Sequence, residues 1–321
     1  MTSKLALIFL FTGFCAASLA ESLPLGKMGK TIQPNEIDVQ WSVLQNKFPP
    51  NLWVYHVLKT KFSPAVISNL IDVGNFSAKD QTGSPTGGAE ESQFLSSDKT
   101  RRLTIQSSLG AINYENKIIV QTSQTNLPVE VPQQSELRKL TMDFLPKIGI
   151  RDSDIKRDEE ISQPELTFFD PEVTMYWVNS AMVTNIPYRS VFFRRSLKGV
   201  SFVGNDVGGN CWINFASHRT ISKIVLKWPE VERFKSYPVA SFQSIIKWIH
   251  QGRSVHGYIP MDFGTIDWPA AKKITVTKAQ AVYVTGQNYI HPIASLWATV
   301  DTGHGNVEVE IDCPIIDESA N

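Results

Sequence analysis

Alternation of apolar and polar positions is clearest between Tyr188 and Trp228, where it predicts consecutive antiparallel strands. Ile224, Leu226 and Trp228 share one face of an alternating run and Lys223 and Lys227 the other, as a half-buried strand requires. Upstream, Cys211, Ile213 and Phe215 alternate with Trp212, Asn214 and Ala216. Gly208-Gly209-Asn210 and Ser217-His218-Arg219 punctuate these runs as turns.

Three stretches carry the helical period instead. Ser63 is placed to cap a helix and Pro64 to occupy its first turn. Val66, Ile67, Leu70 and Ile71 give that helix its apolar face, and Gly74 ends it. A second helix starts at Ser135 with Leu137, Leu140, Phe144 and Leu145 on one side, curtailed by Pro146 and closed by Gly149. A third starts near Ser241, with Phe242, Ile245, Ile246 and Ile249 on one face and Gly252 as its stop.

Between the helices, residues 52–58 read as a strand, 102–106 with 111–114 as a hairpin, and Val173 to Val183 as one strand. Residues 76–100 are rich in Ser, Thr, Gly and Asp without an apolar period, and read as a mobile loop. A Pro-containing loop follows Trp228, and residues 253–271 form a longer one. The chain closes with strands over 274–285, 292–300 and 307–313. Helices alternating with antiparallel strands make the fold class α+β, antiparallel sheets packed against a few helices. The polar segment 122–134, with two prolines, sets the boundary between an N-terminal module (21–130) and a C-terminal module (131–321).

The second module resembles the PepSY-type fold of YycI/YycH-like extracytoplasmic regulatory proteins. The resemblance rests on the helix bearing Leu137, Leu140, Phe144 and Leu145, on Phe192-Phe193-Arg194-Arg195, and on the strand from Lys198 to Gly204. The strand from Ile221 to Trp228, the helix from Ser241, and Val282-Tyr283, His291-Pro292 and Val309 to Pro314 complete it. Residues 63–115 read as a degenerate first copy. The resemblance implies a non-catalytic module that binds or restrains another protein outside the cytoplasm. Its members usually carry an N-terminal membrane anchor, whereas this chain opens on a cleavable-looking signal.

That signal occupies residues 1–20: Lys4, an apolar core, then Ser18-Leu19-Ala20 as a small-x-small cleavage site. The expected product is secreted, with no membrane span after cleavage. Basic and acidic residues balance at 31 each, which argues against a nucleic-acid partner. Loss of the signal removes Cys15 and leaves Cys211 and Cys313, which in an oxidising compartment most simply pair. Such a bond would contribute roughly 4–5 kcal/mol; two separate buried thiols are the other reading. Asn75-Phe76-Ser77 is the sole N-glycosylation sequon, relevant if the source is eukaryotic.

Candidate chemistry is sparse. Asp301-Thr302-Gly303 is the tripeptide of aspartic proteases, but those need two such aspartates, and a turn explains one. The six histidines form no zinc spacing, no phosphate loop or nucleophile elbow occurs, and no cofactor is expected. Arg194 and Arg195 would face opposite sides of a strand, one solvated and one paired with an acid. In the 253–271 loop, Asp262, Phe263, Asp267 and Trp268 place two acids beside two aromatics, which suits sugar stacking or hydrolysis. The leading expectation is a secreted, non-catalytic binding or regulatory protein. An edge strand or sheet face would engage a protein, a peptide or an envelope polymer. The alternative is an extracellular carbohydrate-binding protein or hydrolase using the 253–271 loop.

Overall fold

The structure, a computed structural model, describes residues 37–43, 48–83, 91–117, 130–158, 162–170, 173–178, 181–202, 209–251, 255–258, 271–286, 288–303 and 305–316. Along the chain these form β1 (Asp38–Trp41), β2 (Asn51–Leu58), α1 (Pro64–Gly74), β3 (Gln81–Gly83), β4 (Glu91–Leu95), β5 (Arg101–Gln106) and β6 (Ala111–Asn116). Next come α2 (Gln134–Phe144), β7 (Thr167–Phe169), β8 (Thr174–Val178), β9 (Ala181–Asn185), β10 (Arg189–Arg194), β11 (Ser196–Leu197) and β12 (Val200–Phe202). The rest are β13 (Asn210–Phe215), β14 (Ile221–Lys227), β15 (Glu230–Pro238), α3 (Phe242–His250), β16 (Val255–Tyr258), β17 (Lys273–Thr285), β18 (Tyr289–Asp301) and β19 (Asn306–Pro314).

One sheet has eight strands in the order β3-β4-β5-β6-β14-β13-β10-β7, and all its pairings are antiparallel. The alternation read from the sequence sets its faces. Cys211, Ile213, Phe215, Ile224 and Leu226 are buried in one core with Leu103, Ile112 and Tyr114, while Trp212 and Val225 stay partly exposed. Helices α1 and α2 cover the buried face through Val66, Leu70, Leu137 and Phe144. Ser63 caps α1 by accepting from the Val66 amide, and Asn75 ends it in the left-handed region at φ 47°. After α2 a short 3-10 turn over Leu145–Ile148 follows, and Gly149 at φ 82° reverses the chain.

The larger sheet has nine strands built around β17, β18 and β19, with β11 and β12 on one side and β16 on the other. Strand β1 runs parallel to the start of β17, and β2 joins β15 to the start of β18. Its core holds Val54, Ile274, Val276, Leu296, Val300 and Ile311, with α3 packed through Ile245 and Ile249. Both isoleucines are fully buried, which stabilises by about 2–3 kcal/mol each on transfer values. Ser241 caps α3 by accepting from the Ser244 amide at 3.1 Å.

The fold class is α+β, as the pattern predicts. The expected boundary near residue 130 does not divide the sheets. Strands β3–β6 complete the eight-stranded sheet from before that point, and β1 and β2 belong to the sheet made mainly by the C-terminal strands. Period and turn signals are local, so they do not report which strands pair across the chain. The expected mobile loop over 76–100 is also corrected where it is described, over 76–83 and 91–100, while 84–90 lie outside the described residues. Residues 91–95 form β4, in full register with β5, around the single buried apolar residue Phe94. The Pro-containing loop expected after Trp228 is strand β15, hidden from the hydrophobic pattern by Glu230, Glu232, Arg233 and Lys235 on an exposed edge.

The expected Cys211–Cys313 bond is not formed. Cys211 faces the core of the eight-stranded sheet, Cys313 faces the core of the larger one, and both are free, fully buried thiols. Burial raises both thiol pKa values, and Asp312 adds to the rise at Cys313.

Candidate binding surface

Strands β8 and β9 make a two-stranded sheet that pairs with no other strand among the described residues. What the sequence presents as one run from Val173 to Val183 turns back on itself, with Trp177 opposite Met182 and Met175 opposite Thr184. Residues directly opposite, and residues two apart on a strand, share a face. Val173, Met175, Trp177 and Met182 therefore lie together. They are exposed by 48%, 64%, 72% and 60%, and the exposure of β8 rises toward the turn. No charged residue occurs between Glu172 and Arg189. At the base of the hairpin Arg189 is fixed by Asp170, Nε to Oδ1 at 2.6 Å, and donates to the Pro132 carbonyl at 2.9 Å.

A second aromatic group lies on the larger sheet. A β-bulge between Arg233 and Lys235 inserts Phe234 as an extra residue in β15. Its ring stacks on His56 at 5.2 Å and meets Tyr289 edge-on at 5.3 Å, while His56 and Tyr289 lie 4.4 Å apart. Glu232 sits 3.6 Å from His56 Nδ1. These rings satisfy one another, so the group reads as a self-packed patch on a charged edge.

The outer face of β19 carries Glu308, Glu310 and Asp312 at alternate positions. Fully buried Ser295 donates to Glu310. Burial and the neighbouring Glu310 carboxylate push Asp312 up to about 7. Asp312 Oδ1 is buried with no hydrogen-bond partner among the described residues. Strand β16 pairs beside these acids, Val255 with Asp312 and Tyr258 with Glu310. Beyond β16 the chain continues into the sequence-selected contact residues, and Asp262, Phe263, Asp267 and Trp268 lie outside the described residues. So does the signal over 1–20.

The other sequence candidates have structural places. Asp301 accepts from the Gly303 amide at 2.8 Å and Thr302 Oγ1 donates to the Gly305 carbonyl at 3.0 Å, which makes Asp301-Thr302-Gly303 the turn between β18 and β19. His250 Nε2 donates to the Ile37 carbonyl at 3.0 Å and ties α3 to the start of β1. His218 and Arg219 occupy consecutive left-handed positions at φ 55° and 60°, the centre of a tight β13–β14 turn. They border a cavity of about 380 Å³ with Glu130, Val131, Pro132 and Glu136, where Arg219 pairs with Glu136. Asn75 of the sequon is exposed. Arg195 is the buried member of the arginine pair, but it meets a carbonyl and two rings, with no carboxylate at ion-pair distance among the described residues. No group of three or more metal-ligating side chains occurs among the described residues.

Sequence reasoning missed the hairpin as a surface because its alternation is that of any strand. The signal that could have found it is the uncharged stretch from Val173 to Tyr188 with Asn179-Ser180 at its centre, a turn dipeptide between two short apolar runs.

Comparison with known proteins adds little. No protein-family model matches the chain, and no curated protein matches it. Among solved structures, an uncharacterized protein from Eubacterium rectale is similar at 9% identity over 85% of each chain, with a TM-score of 0.47.

Proposed function

We propose that the chain is a secreted, non-catalytic binding or regulatory protein that engages a protein or peptide through the β8–β9 hairpin. One observation carries this reading: three large apolar side chains, Met175, Trp177 and Met182, stand exposed together on one face of a sheet that pairs with no other strand among the described residues. Contiguous exposed apolar surface marks interaction sites, and Trp and Met are enriched at the centres of interfaces. The restraining role implied by the PepSY-type resemblance belongs to the same proposal. No helix among the described residues is long and apolar enough to cross a membrane.

The test is retention of components from the native extracellular fraction by the chain starting at Glu21. Trp177→Ala with Met182→Ala should abolish specific retention while leaving the thermal midpoint within about 2 °C, as for exposed sites. Retention unchanged in the double variant would overturn the assignment. So would turnover on a broad hydrolase panel that a single point mutation abolishes.

A second reading has its own observation. Asp312, with its raised pKa, beside Glu310 is the kind of carboxylate pair that glycoside hydrolysis uses. It would fit the carbohydrate-binding or hydrolase alternative tied to the 253–271 segment. Asp312→Asn, Asp262→Ala and Asp267→Ala separate the two readings: an enzyme loses turnover with its fold intact, and a binding module has no turnover to lose.

A further inference from the structure

We infer that the open backbone edge of the β8–β9 hairpin receives an extended, uncharged segment of a partner protein as an added strand. The inference rests on the binding reading above and narrows its partner. Each strand of the hairpin is paired on one side only among the described residues. An isolated two-stranded hairpin is marginal in water, and a third strand is the least addition that stabilises it.

The contrast within this molecule is informative. Strand β15, nine residues long, also has only one neighbour, β2, among the described residues. It is guarded by Glu230, Glu232, Arg233 and Lys235, by the bulge at Phe234 and by Pro238, which are the usual devices against edge pairing. The β8–β9 hairpin has none of them: no charge, no proline within either strand and no shift in register over its five pairs. An edge left unguarded in a molecule that guards another of its edges is suited to pairing.

The chemistry of the added strand follows from the same features. Main-chain hydrogen bonds would supply affinity, and alternate side chains would extend the Met175–Trp177–Met182 face. A charged strand would lose hydration there with no opposite charge to meet, since none lies between Glu172 and Arg189. A bilayer is a poor occupant because the open edges would carry unpaired amides and carbonyls into hydrocarbon. A second copy meeting flat on this face is also disfavoured. Five-residue strands are only about 17 Å long, and such a face falls well short of the roughly 800 Å² per partner of a stable dimer.

The experiment follows amide hydrogen exchange in the chain from Glu21 onward, with an end-capped octapeptide of alternating Thr and Val, made soluble by a polyethylene glycol tail. At about 1 mM peptide, exchange over 174–185 should slow by about tenfold or more while the β17–β18 amides do not change. Met175→Lys and Thr184→Lys should remove this protection, and Met175→Val should keep it. No protection, or equal protection by a Glu-Val or Lys-Val octapeptide, would overturn strand addition. Concentration-dependent protection without peptide would assign the edge to a second copy, and protection by phosphatidylcholine vesicles would assign it to lipid; either result overturns the inference. If the octapeptide fails but the Trp177→Ala, Met182→Ala variant still loses native retention, strand addition falls and the binding reading stands. If retention is indifferent to that variant as well, both fall.

Discussion

Arg195 Nη1 donates to the Pro229 carbonyl oxygen at 2.6 Å, and this bond joins two of the places where the chain passes from one sheet to the other. Arg195 stands between β10 of the eight-stranded sheet and β11 of the larger one, and Trp228-Pro229 stands between β14 and β15. The guanidinium lies over Phe202 of the larger sheet at 6.0 Å and over Trp228 at 5.5 Å. Burial lowers its pKa to about 10, still far above any physiological pH, so a cation is held in the joint.

Removing that side chain leaves the Pro229 carbonyl without its donor and two rings without their cover. Arg195→Ala is expected to cost about 2–4 kcal/mol in urea unfolding. Arg195→Lys should cost less, because an ammonium keeps a donor and loses the planar stacking. A loss of under about 0.5 kcal/mol for the alanine variant, the range of an ordinary surface site, would remove Arg195 from the joint.

Gly110 closes the same joint from the other side. Its φ is +57°, its carbonyl accepts from the Trp228 amide, and a Cβ there would come within 2.4 Å of Pro229 Cα and 2.7 Å of Thr60 Oγ1. Gly110→Ala is expected to destabilise by about 2–4 kcal/mol, combining left-handed strain with a clash against backbone. Gly199, also at positive φ but with open space around it, should lose only the strain, about 1 kcal/mol, on the same substitution. Equal costs at the two positions would show that Pro229 does not crowd Gly110.

Two buried groups tilt stability in opposite directions with pH. Asp312 is raised from 3.8 to about 7, so between those values the unfolded chain releases its proton first and stability falls as pH rises. His291 is lowered from 6.5 to about 4 by burial, so stability is lost as pH falls from 6.5 toward 4. Asp312→Asn should remove the first slope and raise stability at pH 8 relative to wild type, on the order of 1–3 kcal/mol. His291→Gln should remove the second and flatten the acid side. Chemical denaturation at intervals from pH 4 to 8 reads both. An unchanged slope in Asp312→Asn would mean that this carboxyl ionises normally.

The free thiols make a simple prediction. The intact chain should show no mass deficit for an S–S bond, and reductant should not move its melting midpoint. Cys211 and Cys313, fully buried with raised thiol pKa values, should resist a thiol reagent until the protein is unfolded. A midpoint that drops in reductant would restore the bond.

The sequence alone determined the helices and most of the strands, while β4, β15 and the turn between β8 and β9 escaped it. The alternation of Cys211, Ile213 and Phe215, the Ser63 and Ser241 caps and the apolar faces of three helices all appear where the pattern puts them. These signals are periodicities over a few residues, and burial acts on them directly. Tertiary structure decided the pairings: β2 beside β15 and β18, β6 beside β14, and the two cysteines on different cores. It also decided which exposed strand is an edge. Glu230 to Pro238 and Val173 to Val183 differ in charge on paper, but only the assembled sheets show that the first is a guarded border and the second an open hairpin. Strand pairing depends on backbone groups common to every residue, so side-chain pattern fixes which face a strand buries and leaves its neighbours to the collapse of the whole chain.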